Sequence, residues 1–435
     1  MGSFMIRYVH MYLVAILLVA GISMSFPSGR HSKAEAASDM SVHAKAAILV
    51  DAKSGKILFG QNMDESLSVA SMSKLMTQYL ILEKIQKGDL KWDDVYHADA
   101  TDQDLSTRPG LGNVPLYQGQ SYTVRDLYNA MTLVSANAAS RALGRMAGKS
   151  DKHFVQMMNN KAKQLGLKHS SFVNTSGLNN QDLAPYQVKG TASDGENKMS
   201  ARDLALLAYH FIHSFPNEMD IEKKELDQFP VTDSYSIPLR NKNQLLPNGK
   251  YPYKGAIGLK TGMNDAAGYG IVALAKRGQR ELIAVIIDAK NKKGKRSSKA
   301  RYMQAQKLLD YGFTHWDYEK ISPEKFLPTN QQKIPVENGT KEKAAITSKT
   351  TVTELVPKNG HSIKAKLTLM PKFLTDQKKL KSPIQKGTVI GKITLRDGSY
   401  GYLTTKLEKK AQVKATVKEE IQKENWFAAL MDGIF

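Results

Sequence analysis

Three short patterns in the chain carry residue types that do chemistry. Ser71-Met72-Ser73-Lys74 is an S-x-x-K, Ser135-Ala136-Asn137 an S-x-N, and Lys260-Thr261-Gly262 a K-T-G. In the first, positions i and i+3 share a helix face, so the Lys74 amine can reach the Ser71 hydroxyl. Lysine is a poor base in water. Burial and a second nearby cation lower its pKa and let it take a serine proton. Lys260 is the candidate for that second cation. A helix N-terminus favours developing negative charge and supplies free N–H groups. The chemistry is attack by a serine oxygen. Each pattern alone has a plainer reading: Ser71 as an N-cap, Ser135 and Asn137 as turn formers, Lys260 as a solvated strand-end lysine. The specific signal is the three together, in order, at a helix start, an interhelix loop and a strand end.

Recognisable elements surround these patterns. Ala46 to Val50 and Lys56 to Phe59 read as strands joined by a turn at residues 51–55. A helix starts near Ser71 and runs to about Lys87; its apolar positions leave few polar faces, so it should be buried. Further helices read at Thr123 to Leu133, Asp151 to Leu165 and Ser200 to Ile212, with Thr123 and Ser200 as N-caps. Ile257 to Leu259, Gly268 to Ala275 and Glu281 to Asp288 read as strands, the last two a hairpin over residues 276–279. A helix from Ser297 to Tyr311 closes this unit. Strands at both ends with helices between them argue an α+β fold. Beyond Trp316 the pattern alternates, at Thr351 to Leu355, Ser362 to Leu369, Thr388 to Leu395 and Tyr402 to Thr405. This reads as a small, lysine-rich all-β domain with no catalytic constellation.

The chain has 435 residues, no cysteine, and a formal charge of +21. Zero cysteine excludes disulfides and thiolate chemistry. The charge suits nucleic acid or an anionic surface. The N-terminus decides between them. Arg7, the apolar stretch Tyr12 to Phe26, the Pro27-Ser28-Gly29 break and Ala34-Glu35-Ala36 read as a cleaved export signal over residues 1–36, against the alternative of a retained anchor. Its removal takes three cations and one anion from the +21 and leaves +19. Export speaks against nucleic acid. At the other end, Phe427, Ala428, Leu430, Met431, Ile434 and Phe435 share one side of a helical wheel. The 416–435 segment is expected to be an amphipathic helix lying on a membrane surface or packed on the protein's own body. His210 and His213 have no accompanying carboxylate or H-E-x-x-H, so no metal and no cofactor is expected.

The blocks VASMSKLMT, LVSANAAS and GLKTGMNDAAGYG resemble the motif blocks of low-molecular-mass penicillin-binding proteins, the serine-type D-alanyl-D-alanine carboxypeptidases. The likeness is to the Gram-positive vegetative type, and AAILVDAKSGKILFGQN, KAKQLGLKHSSFVNTSGL, RDLALLA and AQKLLDYGF extend it over almost the whole chain. The resemblance implies a β-lactamase/transpeptidase-like catalytic domain over 37–316, an antiparallel sheet with a helical subdomain, then the all-β domain over 321–415. It implies Ser71 as acylated nucleophile and Lys74 as general base. Ser135 and Asn137 would line the cleft, the first relaying protons and the second holding the substrate amide. Lys260, Thr261 and Gly262 would serve the substrate's carboxylate, and the Ser71 and Met263 N–H groups the oxyanion hole. Arg240, in LRNKNQLL, resembles a family arginine of the carboxylate site. The implied substrate is a peptidoglycan stem peptide ending in D-Ala-D-Ala, cut on the outer face of the cell membrane, with β-lactams as covalent inhibitors. Ala138 stands where many relatives have Asp, and Met263 where relatives carry polar or aromatic side chains. Residues 184–198 form a longer polar segment than in many relatives. Two alternatives remain at this point. One is a β-lactamase of the same fold, though no E-x-x-L-N block supplies its deacylating glutamate. The other is a non-catalytic wall-binding protein.

Overall fold

The structure is a computed structural model and describes residues 40–358 and 363–424. The export-signal expectation and the last eleven residues of the expected terminal helix, 425–435, lie outside the described residues.

Two N-terminal strands, β1 (Ala44–Asp51) and β2 (Ile57–Gln61), are followed by a 3-10 turn, Ala70–Ser73, and helix α1 (Lys74–Gln86). Helices α2 (Val124–Leu133), α3 (Asn137–Gly148), α4 (Asp151–Leu165), α5 (Ala201–Ser214) and the short α6 (Met219–Lys223) come next. Strands β3 (Ala256–Asn264), β4 (Gly268–Arg277) and β5 (Arg280–Ala289) and helix α7 (Ser298–His315) complete the unit. The caps act as the sequence suggests. Thr123 and Asp126 form a reciprocal capping box, and the Ser200 hydroxyl accepts from the Asp203 N–H.

The five strands form one antiparallel sheet in the order β2-β1-β5-β4-β3. Alternation along β1 decides its layers. Ala46, Ile48 and Val50 join the core shared with α1 and α5, while Ala47 and Leu49 pack on Leu308, Leu309 and Phe313 of α7. Because both faces are covered, the inner strands are apolar almost throughout. Two boundaries differ from expectation. The 276–279 hairpin is tighter, with Arg277 paired to Arg280 across a two-residue loop. The strand expected to end at Leu259 runs on to Asn264, so the K-T-G lies within the edge strand β3 rather than after it. The reason is register: Lys260, Thr261, Gly262 and Met263 all pair with β4, opposite Val272, Ile271, Gly270 and Tyr269.

Residues beyond the first unit form strands β6 (Trp316–Ile321), β7 (Lys333–Glu337), β8 (Lys343–Thr347), β9 (Val352–Pro357), β10 (Lys364–Leu369), β11 (Leu380–Lys381), β12 (Val389–Arg396) and β13 (Val413–Val417). Six of them form a sheet in the order β10-β12-β13-β8-β7-β11, and β6 pairs with β9. Ile334, Ile346, Leu367, Ile390, Ile393 and Val417 fill its core. The expected strand at Tyr402 to Thr405 is instead a bridge followed by helix α8 (Thr405–Lys410), capped by Thr404. The helix expected from residue 416 is also corrected for its described part. Val417 ends a strand, and Ile421 is fully buried and bridges to Ile384, so 416–424 belong to the β domain.

The β domain docks on the free edge of the catalytic sheet. The Ile57 N–H donates to the Gly401 carbonyl at 2.8 Å, the Tyr400 N–H to Ile57 at 2.9 Å, and the Leu403 N–H to Gly55 at 2.9 Å. This covers the edge strand β2.

Candidate active site

The sequence motifs converge because of three local devices. First, the 3-10 turn brings Ser71 against β3. A side chain at Gly262 would place its Cβ 2.6 Å from the Val69 carbonyl and 3.0 Å from the Met72 nitrogen, so only glycine permits the approach. Second, the loop after α2 turns at Ser135, which has a positive φ of 63°, before Asn137 opens α3. Third, the Asn174–Leu178 segment is folded by its own side chain: Asn174 Oδ1 accepts from the Ser176 and Gly177 N–H groups at 3.1 and 2.7 Å.

These devices surround Lys74, which is fully buried. Its Nζ lies 3.0 Å from Ser71 Oγ, 2.6 Å from Asn137 Oδ1 and 2.6 Å from the Ser176 carbonyl. Burial first, then Lys260 and Lys242, lower its pKa well below that of a free lysine. A neutral amine beside a serine hydroxyl can accept its proton. Asn137 is held from behind, its amide donating to the Gly112 carbonyl at 3.0 Å and its N–H meeting Asn113 Oδ1 at 2.8 Å. Lys260 Nζ donates to Ser135 Oγ at 2.8 Å and to the Thr261 carbonyl at 3.2 Å. Burial and Lys242 push its pKa down to about 7, opposed by Glu222 and reinforced by Arg301.

A cleft of about 470 Å³ opens over these groups, lined among others by Ser71, Ser135, Asn137, Thr261, Gly262 and Met263. Met263 is 57% exposed at its rim. Two cations that the sequence reading did not single out, Lys242 and Arg301, also line it. Arg240 does not. It ends the hairpin Leu226–Thr232 with Tyr235–Arg240 and is solvent-facing where it pairs with Leu226. Lys242, two residues on, does line the cleft, its N–H meeting the Leu133 carbonyl. Lys242 stands in the same LRNKNQLL block and was within reach of a sequence reading. Arg301 sits in the first turn of α7, its guanidinium donating to the Gly262 carbonyl at 3.1 Å, and no local pattern marks it. Ala138 is fully buried, so an aspartate there would be buried too and would need a partner. In the 184–198 segment, Glu196 accepts from Ser68 Oγ and from Asn179 Nδ2, bracing the cleft's outer wall. His210 and His213 are helix residues of α5, and among the described residues no cluster of ligating side chains is suited to a metal. Nor, among the described residues, is any helix long and apolar enough to cross a membrane.

Residues 32–291 match the D-alanyl-D-alanine carboxypeptidase family, Peptidase_S11, and residues 322–423 match the C-terminal domain of penicillin-binding protein 5. Among curated relatives, D-alanyl-D-alanine carboxypeptidase DacA of Escherichia coli is 30% identical over 396 residues, covering 90% of this chain and 87% of the relative. DacF of Bacillus subtilis is 28% identical over 393 residues, covering 88% and 90%. Among solved structures, a peptidoglycan synthesis regulatory factor (PBP3) from Streptococcus pneumoniae superposes with a TM-score of 0.67 at 28% identity, over 88% of this chain and all of that one. Penicillin-binding protein D2 of Listeria monocytogenes, solved with ampicillin bound, does so at 0.51 and 32% identity, over 63% and 99%. Motif order, sheet topology and both matched segments agree: the chain belongs to the D-alanyl-D-alanine carboxypeptidase family.

Proposed function

We propose that this serine-type D-alanyl-D-alanine carboxypeptidase removes the terminal D-alanine of peptidoglycan stem peptides through an acyl-enzyme on Ser71. The observation that carries the assignment is the buried Lys74 amine 3.0 Å from Ser71 Oγ at the floor of the cleft. Lys74 takes the Ser71 proton as Oγ attacks the carbonyl carbon of the penultimate D-alanine. The N–H groups of Ser71 and Met263 stabilise the resulting oxyanion. Ser135, bonded to Lys260, relays the proton held by Lys74 to the leaving amine, and free D-alanine departs. Water then cleaves the ester and restores Ser71. Asn137 holds the substrate amide. Lys260, Thr261, Lys242 and Arg301 form the cationic end of the cleft that takes the substrate carboxylate.

β-Lactams acylate the same serine, because their amide and carboxylate occupy the same positions. The β-lactamase alternative is disfavoured. No E-x-x-L-N block supplies the deacylating glutamate of that class. The substrate places the reaction outside the cytoplasm, which agrees with the export signal read at residues 1–36. The proposed layout is a catalytic domain over 37–316, a β domain from 321 and a C-terminal membrane-surface segment.

Ser71→Ala is the test. It is expected to abolish both D-alanine release from a peptide ending in D-Ala-D-Ala and labelling by a fluorescent penicillin. Appreciable release by that variant overturns the mechanism. Rapid turnover of penicillin by the wild type, in place of a long-lived adduct, establishes the β-lactamase reading instead.

A further inference from the structure

One face of the β-domain sheet is a field of unpaired positive charge. Along β10, Ala365 and Leu367 turn into the core while Lys364, Lys366 and Thr368 are exposed. Along β12, Ile393 is buried while Lys392 and Arg396 are exposed, and on β13 the exposed Lys414 stands between the buried Val413 and Ala415. Register sets these cations against one another. Lys364 lies directly opposite Arg396, and Lys392 directly opposite Lys414. Lys366 pairs with Thr394 and so is diagonal to both Arg396 and Lys392. Directly opposed residues share a face, with Cβ atoms about 5 Å apart. Five cations therefore crowd a patch three strands wide, about 10 Å across and 13 Å along. Thr368 and Thr394 are the neutral members of these pairs, and no carboxylate stands among them.

Folding alone does not favour this arrangement. Opposite charges across a strand pair stabilise a sheet, and like charges directly opposite destabilise it. Among the described residues, none of the five side chains takes part in an ion pair or hydrogen bond. Edge lysines guard a sheet against pairing with another chain. That accounts for Lys364 and Lys366, on the edge strand β10, but not for Lys392, Arg396 and Lys414, whose strands are paired on both sides.

We propose that this face binds a linear phosphodiester polymer, one chain lying across β10, β12 and β13. The complementarity is one of charge, since a row of cations without counter-charges attracts a ligand with repeated negative charges. Four of the five are lysines, compact point charges that suit phosphate oxygens, whereas carboxylates are best met by the planar arginine fork. Shape favours a polymer over a bilayer. A sheet twists by about 20° per strand, so the cations turn about its axis, a path that a flexible chain follows and a flat surface does not. The face also lacks an apolar or aromatic side chain to enter a bilayer.

The test uses the full chain and two probes that share one phosphodiester chemistry, a glycerol-phosphate polymer and phosphatidylglycerol vesicles. Lys392→Gln with Lys414→Gln removes one opposed pair. Polymer affinity at about 150 mM salt should fall tenfold or more, and the slope of log affinity against log salt should flatten by about 1.5, for the counterions of two charges. D-Alanine release from a short soluble peptide should stay within about twofold of wild type. The urea midpoint should hold or rise, because a repulsive pair is gone. Lys333→Gln with Lys381→Gln, two exposed lysines on β7 and β11, removes the same charge elsewhere on the sheet and should leave polymer affinity within about threefold. Polymer binding unmoved by the first variant overturns the proposal. An equal loss in the second variant does so too, because net charge then explains the binding. A lowered urea midpoint in the first variant assigns the pair to folding, against the proposal. Vesicle binding that depends on Lys392 and Lys414, beside polymer binding that does not, gives the face to a membrane instead.

Discussion

Lys74 Nζ donates to Asn137 Oδ1 at 2.6 Å, joining the first motif to the second across sixty-three residues. The same nitrogen bonds to Ser71 and Ser176, so one buried amine defines the geometry of the whole floor. Its low pKa has three causes, burial, Lys260 and Lys242, and of the two cations only the exposed Lys242 can be removed without opening the core.

The first prediction concerns Lys242. A base works only in its neutral form, so activity dependent on Lys74 falls as pH drops through the Lys74 pKa. Lys242→Met removes a cation that disfavours the protonated form, so Lys74 holds its proton to higher pH. The acid limb of the rate of Ser71 acylation by penicillin should therefore move to higher pH, by about half to one unit. Stopped-flow acylation across pH checks it. A limb that stays in place or moves down contradicts the assigned coupling.

Gly262 gives the second. Its Cα hydrogen faces the Val69 carbonyl and Met72 nitrogen, at distances no Cβ tolerates. Gly262→Ala should push the Ser71 turn off β3 and lower kcat/KM by about a hundredfold or more, because misplacing a nucleophile by an ångström has that effect. The fold should survive, since β3 is an edge strand. Circular dichroism and penicillin-labelling rates together separate lost geometry from lost folding.

Much of this was legible in the residues. The three motifs carry their own context, and the caps at Thr123 and Ser200 and the alternation of β1 are local signals that tertiary structure had no reason to override. What was not legible depends on distant parts of the chain. The K-T-G looked like a strand end because Gly and Thr break the apolar run, yet pairing with Gly268–Ile271 carries the strand through it. Tyr402 to Thr405 alternates like a strand, but that alternation serves docking on β2. Arg301 reaches the cleft from a helix whose own sequence says nothing of a ligand.

The third prediction separates Arg240 from the two cations that line the cleft. Arg240→Met should leave kcat/KM within about twofold, since exposed side chains away from a site contribute little. Arg301→Met removes a guanidinium that lies in the cleft and braces Gly262. It should reduce kcat/KM by about ten- to a hundredfold, the worth of one charge-assisted hydrogen bond to a carboxylate. The loss should appear mainly in KM. A D-Ala-D-Ala peptide with its terminal carboxyl amidated, and so without the charge, should show little difference between wild type and Arg301→Met. Steady-state kinetics on both peptides decides. An effect at Arg240 equal to that at Arg301 contradicts the placement.

The last prediction concerns the junction of the two domains. Lys56 is 3% exposed and donates to Asp397 Oδ2 at 2.5 Å, Glu354 Oε2 at 3.1 Å and the Leu355 carbonyl at 3.0 Å. Burial lowers its pKa, but Asp397 and Glu354 more than offset that and raise it above the ordinary lysine value. A raised lysine pKa contributes stability that is fully present below the unfolded value and is lost as pH rises through the folded one. The contribution of Lys56 is thus at full strength at neutral pH and is lost only in strong alkali. Lys56→Met takes from Glu354 and Asp397 the buried ammonium to which both bond, and removing one partner of a buried ion pair costs about 3 to 5 kcal/mol. The loss should fall on the docking of Gly55–Ile57 against Tyr400–Leu403, and amide hydrogen exchange should show those bonds opening before the rest of the sheet. Adding Glu354→Gln to Lys56→Met removes a buried carboxylate that Lys56 had held and should recover part of the loss in urea midpoint. If the single variant unfolds at the wild-type midpoint, the buried triad does not hold the domains together.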